Sequence, residues 1–163
     1  MRVLSAAVAV HLAAISSAQA ACPQALAVYA DADGTLTLEF RPNDGEAATV
    51  TNQFRVVMEN DVVLDGIVQW SMGVARSNGM AMYKCPDGDV TGEELDACTV
   101  WRGVVYALDA AGTVGLLPMD DEDAAQRLLL PDFGRAVRHS VVWGEDKVRQ
   151  VPWDVLSLSG CQD

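Results

Sequence analysis

Apolar and polar side chains alternate with a period of two over much of the first third of the chain. Leu36, Leu38 and Phe40 are interleaved with Thr35, Thr37, Glu39 and Arg41, and the same rhythm returns at Val50, Asn52, Phe54, Val56 and Met58. Successive strand residues point to opposite faces of a sheet, so this period predicts strands with one face buried. Asp33-Gly34 separates the first run from Leu26–Ala30 and predicts a hairpin between them. Glu59-Asn60-Asp61 predicts a turn into Val62–Leu64, and Ile67–Met72 reads as a further strand. Asn78-Gly79 is the strongest hairpin signal in the chain, flanked by Met72–Ala75 and Met80–Lys84. Trp101–Leu108 is strand-like, and Asp109-Ala-Ala-Gly112 is expected to turn it back into Thr113–Leu117.

Helical signals are sparse. Thr91-Gly-Glu-Glu94 fits a capping box, with Thr91 as N-cap of one short helix ending near Cys98. Asp120-Asp121-Glu122-Asp123 would place negative charge at the positive end of a helix through about Leu129. Pro131 suits the first position of another short helix, on which Phe133, Ala136 and Val137 share a face and Arg135, Arg138 and His139 sit at the C-terminal end. The expected fold is mainly β: a single antiparallel sheet or barrel-like domain over residues 21–163, with two or three short helices.

The N-terminus is read separately. Met1-Arg2 is a short basic start, Val3–Ile15 is almost wholly apolar, and Ser16–Ala20 ends in an A-x-A pattern. This predicts a secretory signal peptide over residues 1–20, cut after Ala20. The apolar run is shorter than the roughly 20 residues a membrane-spanning helix needs. Cys22 as a lipidated residue is a weaker alternative, because a lipobox resembles Leu-small-small-Cys and the leucine is missing. Arginine and alanine are abundant, which favours a bacterial periplasm over a eukaryotic secretory route.

Export changes how the four cysteines are read. Cys22, Cys85, Cys98 and Cys161 all lie beyond the leader, and an even count in an oxidising compartment predicts two disulfides. Three pairings are possible. Cys85–Cys98 is the compact one, around a Pro-Asp-Gly turn, and it leaves Cys22–Cys161 to join the ends of the domain. No C-x-x-C occurs, and His139 is the only histidine beyond the leader, so a structural zinc site is disfavoured.

Charge narrows the partners. Lys+Arg 11 against Asp+Glu 23 gives a net −12 over 163 residues, which argues against phosphate-driven nucleic-acid binding and against attachment to anionic lipid. Residues 85–123 hold ten acids against Arg102 alone. Asp87, Asp89, Glu93, Glu94, Asp96, Asp120, Asp121, Glu122 and Asp123 are therefore the candidate partner-binding residues, facing a basic protein or envelope component.

Catalytic and metal signals are weaker. His139 is the one candidate base for a Ser-His-Asp hydrolase, but Ser140 beside it would point elsewhere on a helix and no G-x-S-x-G elbow exists. Asp87, Asp89, Thr91 and Gly92 match the start of an EF-hand loop, whose twelfth position is Cys98 instead of the glutamate Ca²⁺ requires. Asp31-Ala-Asp33-Gly34 fails likewise. Met72, Met80 and Met82 could offer thioethers to Cu(I), although core packing explains such spacing as well.

Two short resemblances complete the picture. Trp101–Gly112 contains V-Y-A-L-D-A-x-x-G and resembles the outer hairpin of a quinoprotein-type β-propeller blade. One copy cannot build a propeller, which needs four or more, and no cofactor is implied. Ala75-Arg-Ser-Asn-Gly79 resembles a loop of C-type lysozyme inhibitors, which implies an inhibitor of a basic exported hydrolase. The leading expectation is an exported, acidic, non-enzymatic module that binds a protein or envelope component. The alternatives are that inhibitor, a Ca²⁺- or Cu(I)-binding protein, and a small envelope-acting hydrolase.

Overall fold

The computed structural model describes residues 22–43, 45, 49–71 and 74–163. The expected leader, residues 1–20, and Met72 lie outside them. Ten antiparallel strands form one sheet: β1 (Ala27–Asp31), β2 (Leu36–Arg41), β3 (Val50–Met58), β4 (Val63–Ser71), β5 (Val74–Met82), β6 (Thr99–Val104), β7 (Tyr106–Leu108), β8 (Val114–Leu116), β9 (Arg127–Leu129) and β10 (Val155–Cys161). Two helices, α1 (Gly92–Cys98) and α2 (Phe133–Arg138), lie outside the sheet. Across the sheet the order is β6-β5-β4-β3-β2-β1-β10-β9-β7-β8.

That order brings its own ends together. Only Val105 separates β6 from β7 in the chain, yet the two stand near opposite ends of the sheet. The Val105 N–H donates to the Ser77 carbonyl at 2.9 Å, the last link to β5. The next residue, Tyr106, already pairs with Leu129 of β9 and Leu116 of β8. A single strand thus switches neighbours at one residue and curls the sheet into a half-barrel, a corner of the kind that bends and bulges make. Where β6 has a strand on only one side, α2 packs against it. The Trp101 indole N–H donates to the Pro131 carbonyl at 2.9 Å, and its ring meets Phe133 edge-on at 5.7 Å.

The period of two in β1–β3 is realised as buried and half-buried positions in strict alternation. Tyr29, Phe40 and Phe54 stack through the interior with centroids 5.8 and 6.0 Å apart, each ring worth about 1.5–3 kcal/mol of burial. Leu38, Val56, Leu64, Val68, Leu128 and Leu156 complete one continuous core. The Asp33-Gly34 hairpin forms, with Gly34 at φ +66°. So do the turn at Glu59–Asp61 and the hairpin that Asp109–Gly112 closes. Both expected disulfides are present: Cys22–Cys161, with Cα atoms 5.8 Å apart, and Cys85–Cys98, at 5.2 Å.

Several expectations are corrected. Asn78-Gly79 is not a turn but lies in mid-β5, where Gly79 faces Gly103 across the strand pair. A Cβ on Gly79 would meet the Trp101 ring at 2.8 Å, and one on Gly103 would meet it at 2.7 Å. The two glycines form a slot for the indole. Ser77 in the same segment is fully buried, so Ala75–Gly79 is not a loop of the inhibitor type. The expected strands Val62–Leu64 and Ile67–Met72 are not two: Val63–Ser71 is one strand, because Gly66 leaves room for the Phe54 ring and pairing runs through it.

The acidic run does not open a helix. The backbone of residues 120–124 is committed to the N-terminal segment instead: Ala25 N–H donates to Asp120 O, Gln24 N–H to Glu122 O, and Ala124 N–H to Cys22 O. Residues Arg127–Leu129 then form β9. The third expected helix does form, but as Phe133–Arg138, two residues after Pro131. Its first amides are held by the Asp154 carboxylate, which accepts from Asp132 N–H and Gly134 N–H, both at 2.9 Å. Strand β10, where Leu156 and Leu158 alternate with Ser157 and Ser159, was not anticipated.

Gly66→Ala should lower stability by about 1–3 kcal/mol in urea denaturation, because its Cβ would fall 2.1 Å from Phe54 Cε2. Gly92→Ala, at an open position on α1, should leave stability unchanged or raise it by up to about 1 kcal/mol.

Candidate functional site

The strand Thr99–Leu108 divides the acidic segment. Asp87, Asp89, Glu93, Glu94 and Asp96 lie before it, on the excursion that Cys85–Cys98 closes. Asp120, Asp121, Glu122 and Asp123 lie after it, against the N-terminal segment that leads into β1. The nine residues therefore sit on two different parts of the fold, the excursion and the N-terminal segment's partner.

Several of these carboxylates have structural partners. Glu94 closes the capping box with Thr91, whose backbone N–H and hydroxyl both donate to it and hold its carboxyl below the usual range. Asp96 pairs with Arg102 at 3.0 Å on the surface. Asp120 reaches inward, accepting from Asn43 N–H and from the buried Asn52 amide, each at 2.9 Å. Glu122 accepts from Met119 N–H. Asp87, Asp89, Glu93, Asp121 and Asp123 are exposed, without a side-chain partner among the described residues.

An apolar groove of about 350 Å³ lies between the β7–β8 hairpin and Pro118, Ala124, Ala125 and Gln126, without Asp120, Asp121, Glu122 or Asp123 in its lining. Leu108, Val114, Leu116 and Pro118 line it, with Asp109 at its edge. The Asp109 carboxylate accepts from Thr113 N–H at 2.8 Å, which lowers its pKa and locks the hairpin. Asp121, Glu122 and Asp123 are within three residues, about 11 Å of chain, of groove-lining Ala124. Val114 is 55% exposed, Leu116 44% and Met119 42%, an apolar grouping that scattered surface hydrophobics do not make. A second groove of about 260 Å³, lined by Arg76 and Tyr106, lies against the same strand. β8 ends the sheet, so one backbone edge is open.

His139 lines a different cleft, of about 490 Å³, between β6 and α2, together with Arg102, Asp132 and Arg135. Ser140 does not serve it: its hydroxyl donates to Val137 O and accepts from Val142 N–H. Among the described residues no carboxylate bonds His139. Asp31, at the head of the second calcium-like turn, is buried, and its carboxylate accepts from Thr35 N–H, the Thr35 hydroxyl, Leu36 N–H and Trp153 N–H. Met80 Sδ lies 3.9 Å from an Arg102 nitrogen. No group of three or more His, Cys, Asp or Glu side chains among the described residues is placed to hold a metal ion. No helix among them is long and apolar enough to cross a membrane.

The exposed residues Val114, Leu116, Met119 and Trp153 were not anticipated as functional. In the sequence Val114 and Leu116 look like part of an ordinary strand after a turn, and the position of β8 at the sheet end leaves them uncovered. No protein-family model, no curated protein and no solved structure matches this chain.

The strongest shift in titration is structural. Burial pushes the Tyr29 phenol up to about 12, against hydrogen bonds to Gln24 Oε1 and the Ala125 carbonyl. The unfolded chain therefore loses this proton first, and the stabilisation is complete below pH 10 and lost as pH rises from about 10 to 12. Urea midpoints should fall over that window by the equivalent of about 2–3 kcal/mol. Tyr29→Phe should remove this share of the slope while costing about 1–2 kcal/mol at neutral pH.

Proposed function

We propose that the protein is an exported, non-enzymatic binding module whose β8 end recognises a basic protein or a basic envelope component. The observation that carries this reading is the coincidence, at one sheet end, of exposed Val114, Leu116 and Met119 with the acids Asp109, Asp121, Glu122 and Asp123. An apolar groove with a negative border complements a segment in which apolar side chains are flanked by Lys or Arg. The open edge of β8 adds the means to align such a segment as an extra strand.

Export is supported by the two disulfides, which persist in oxidising compartments, and by the leader-like composition of residues 1–20. A periplasmic location after cleavage near Ala20 belongs to the same reading. A binding role is favoured over catalysis because the described nucleophiles and bases do not converge, and because the interior is filled by side chains.

The test is affinity capture on the immobilised, disulfide-intact protein from an exported-protein extract, in parallel with Leu116→Glu. A specific basic partner should be retained by the native chain, bind the variant at least about tenfold more weakly, and elute as salt rises. Equal retention by both proteins, or none by either, would remove the β8 end from consideration.

A further inference from the structure

We infer that a second site, beside the β1–β2 turn, takes a neutral saccharide stacked on Trp153. It is independent of the β8 groove and uses none of the same residues. Trp153 is 57% exposed, the most exposed aromatic side chain among the described residues, and it is not loose. Its indole N–H donates to Asp33 Oδ2 at 2.7 Å, and its backbone N–H donates to the buried Asp31 carboxylate at 3.3 Å. On either side, Pro152 is buried against Gly134 and the Asp154 carboxylate holds the start of α2. The indole is therefore fixed by its edge while much of the ring surface is open to solvent. A rigid, uncovered aromatic loses little freedom when something stacks on it.

A groove beside the Trp153 main chain selects the ligand. The Thr35 hydroxyl donates to the same Asp31 Oδ2 that receives the Trp153 backbone N–H, so Thr35 lies next to that stretch of chain. Thr35 lines a groove of about 330 Å³ with Thr37, Val57, Glu59 and Gln150, a volume within the range of about 300–1,000 Å³ for small-molecule sites. Its open polar groups are chiefly uncharged: the Thr37 hydroxyl and the Gln150 amide have no side-chain partner among the described residues. The one carboxylate, Glu59, is held in place by the backbone N–H groups of Arg149 and Gln150. A pyranose presents an apolar C–H face and a rim of hydroxyls. The face matches the indole, and the hydroxyls match the Thr37 hydroxyl, the Gln150 amide and the Glu59 and Asp33 carboxylates as donors and acceptors.

Val151, Trp153 and Val155 alternate outward along one extended stretch and are 49%, 57% and 41% exposed. This row lengthens the platform beyond a single ring and suits consecutive sugar units of an oligomer.

The probes are linear N-acetylglucosamine and glucose tetramers, titrated into the disulfide-intact protein while the indole N–H signals of its four tryptophans are followed by NMR. Trp153→Phe identifies the signal of interest. At least one tetramer should shift the Trp153 indole and the Gln150 side-chain signals saturably by about 10 mM, in the millimolar range of weak ligands. Trp153→Ala should weaken that binding at least tenfold, Thr37→Val should weaken it less, and both variants should melt within about 2 °C of the native protein. Absence of any saturable shift with both tetramers overturns the assignment. So does binding that Trp153→Ala leaves intact, or capture of a protein through Trp153 when neither sugar binds. Leu116→Glu should leave the sugar titration unchanged, which separates this site from the β8 groove.

Discussion

The half-barrel rests on one strand serving two sets of neighbours. Thr99–Val104 completes the sheet beside β5, and after Val105 the same chain becomes β7, between β8 and β9. The switch works because of Trp101. Its ring needs the absence of Cβ at both Gly79 and Gly103, its N–H satisfies the Pro131 carbonyl, and its edge supports Phe133 of α2. One large side chain thus packs the corner, fixes the helix that covers the open side of β6, and satisfies the carbonyl of the residue leading into that helix. Removing it would leave two unfilled glycine positions and an unpaired carbonyl together, a combination that neighbouring residues cannot easily collapse onto.

The disulfides act at two places in this arrangement, one mid-sheet and one beside β6. Cys22–Cys161 joins β10 to the segment just before β1, across a sequence separation of 139, and constrains the unfolded chain by about 5 kcal/mol in the loop-entropy model. It also holds the N-terminal segment where Cys22, Gln24 and Ala25 can bond the backbone of residues 120–124. Cys85–Cys98, with a separation of 13, closes the excursion that carries α1. The acidic residues follow this division. Many are spent on N–H groups at caps and turns, where a carboxylate is favoured for local reasons.

Much of the fold could be read in the chain because its signals were local. The alternation in β1–β3, the capping box at Thr91 and the pairing of Cys85 with Cys98 each depend on residues close in sequence. The failures share a different cause. Asn78-Gly79 looked like a turn and the chain between Leu64 and Ile67 like a gap between strands, whereas Gly79 and Gly66 are glycine because a ring from a neighbouring strand occupies the space of a side chain. Asp120–Asp123 suited a helix N-terminus until the N-terminal segment claimed its amides and carbonyls. The acidic character of the candidate site was visible as composition, but its location was not. Two residues close in number become distant once a whole strand runs between them.

The exposed features were the least visible for the same reason. Leu116 and Trp153 belong to runs whose apolar character normally marks a core, and period alone cannot say which side of a strand a neighbour will cover. Leu116 is left bare because β8 is only three residues long and ends the sheet. Trp153 is left bare because Pro152 and Asp154 turn the chain's other side toward α2. In both cases the core is already complete without them: the interior side chains from Tyr29 to Leu156 form one cluster. A chain with a filled interior keeps an uncovered tryptophan at the cost of some solubility, and it holds this one rigid with two hydrogen bonds. Such an arrangement adds little to folding and much to the readiness of the surface for a flat ligand. The uncovered apolar side chains of this molecule therefore lie at its rims, where strands end and loops are pinned, and not in the half-barrel's interior.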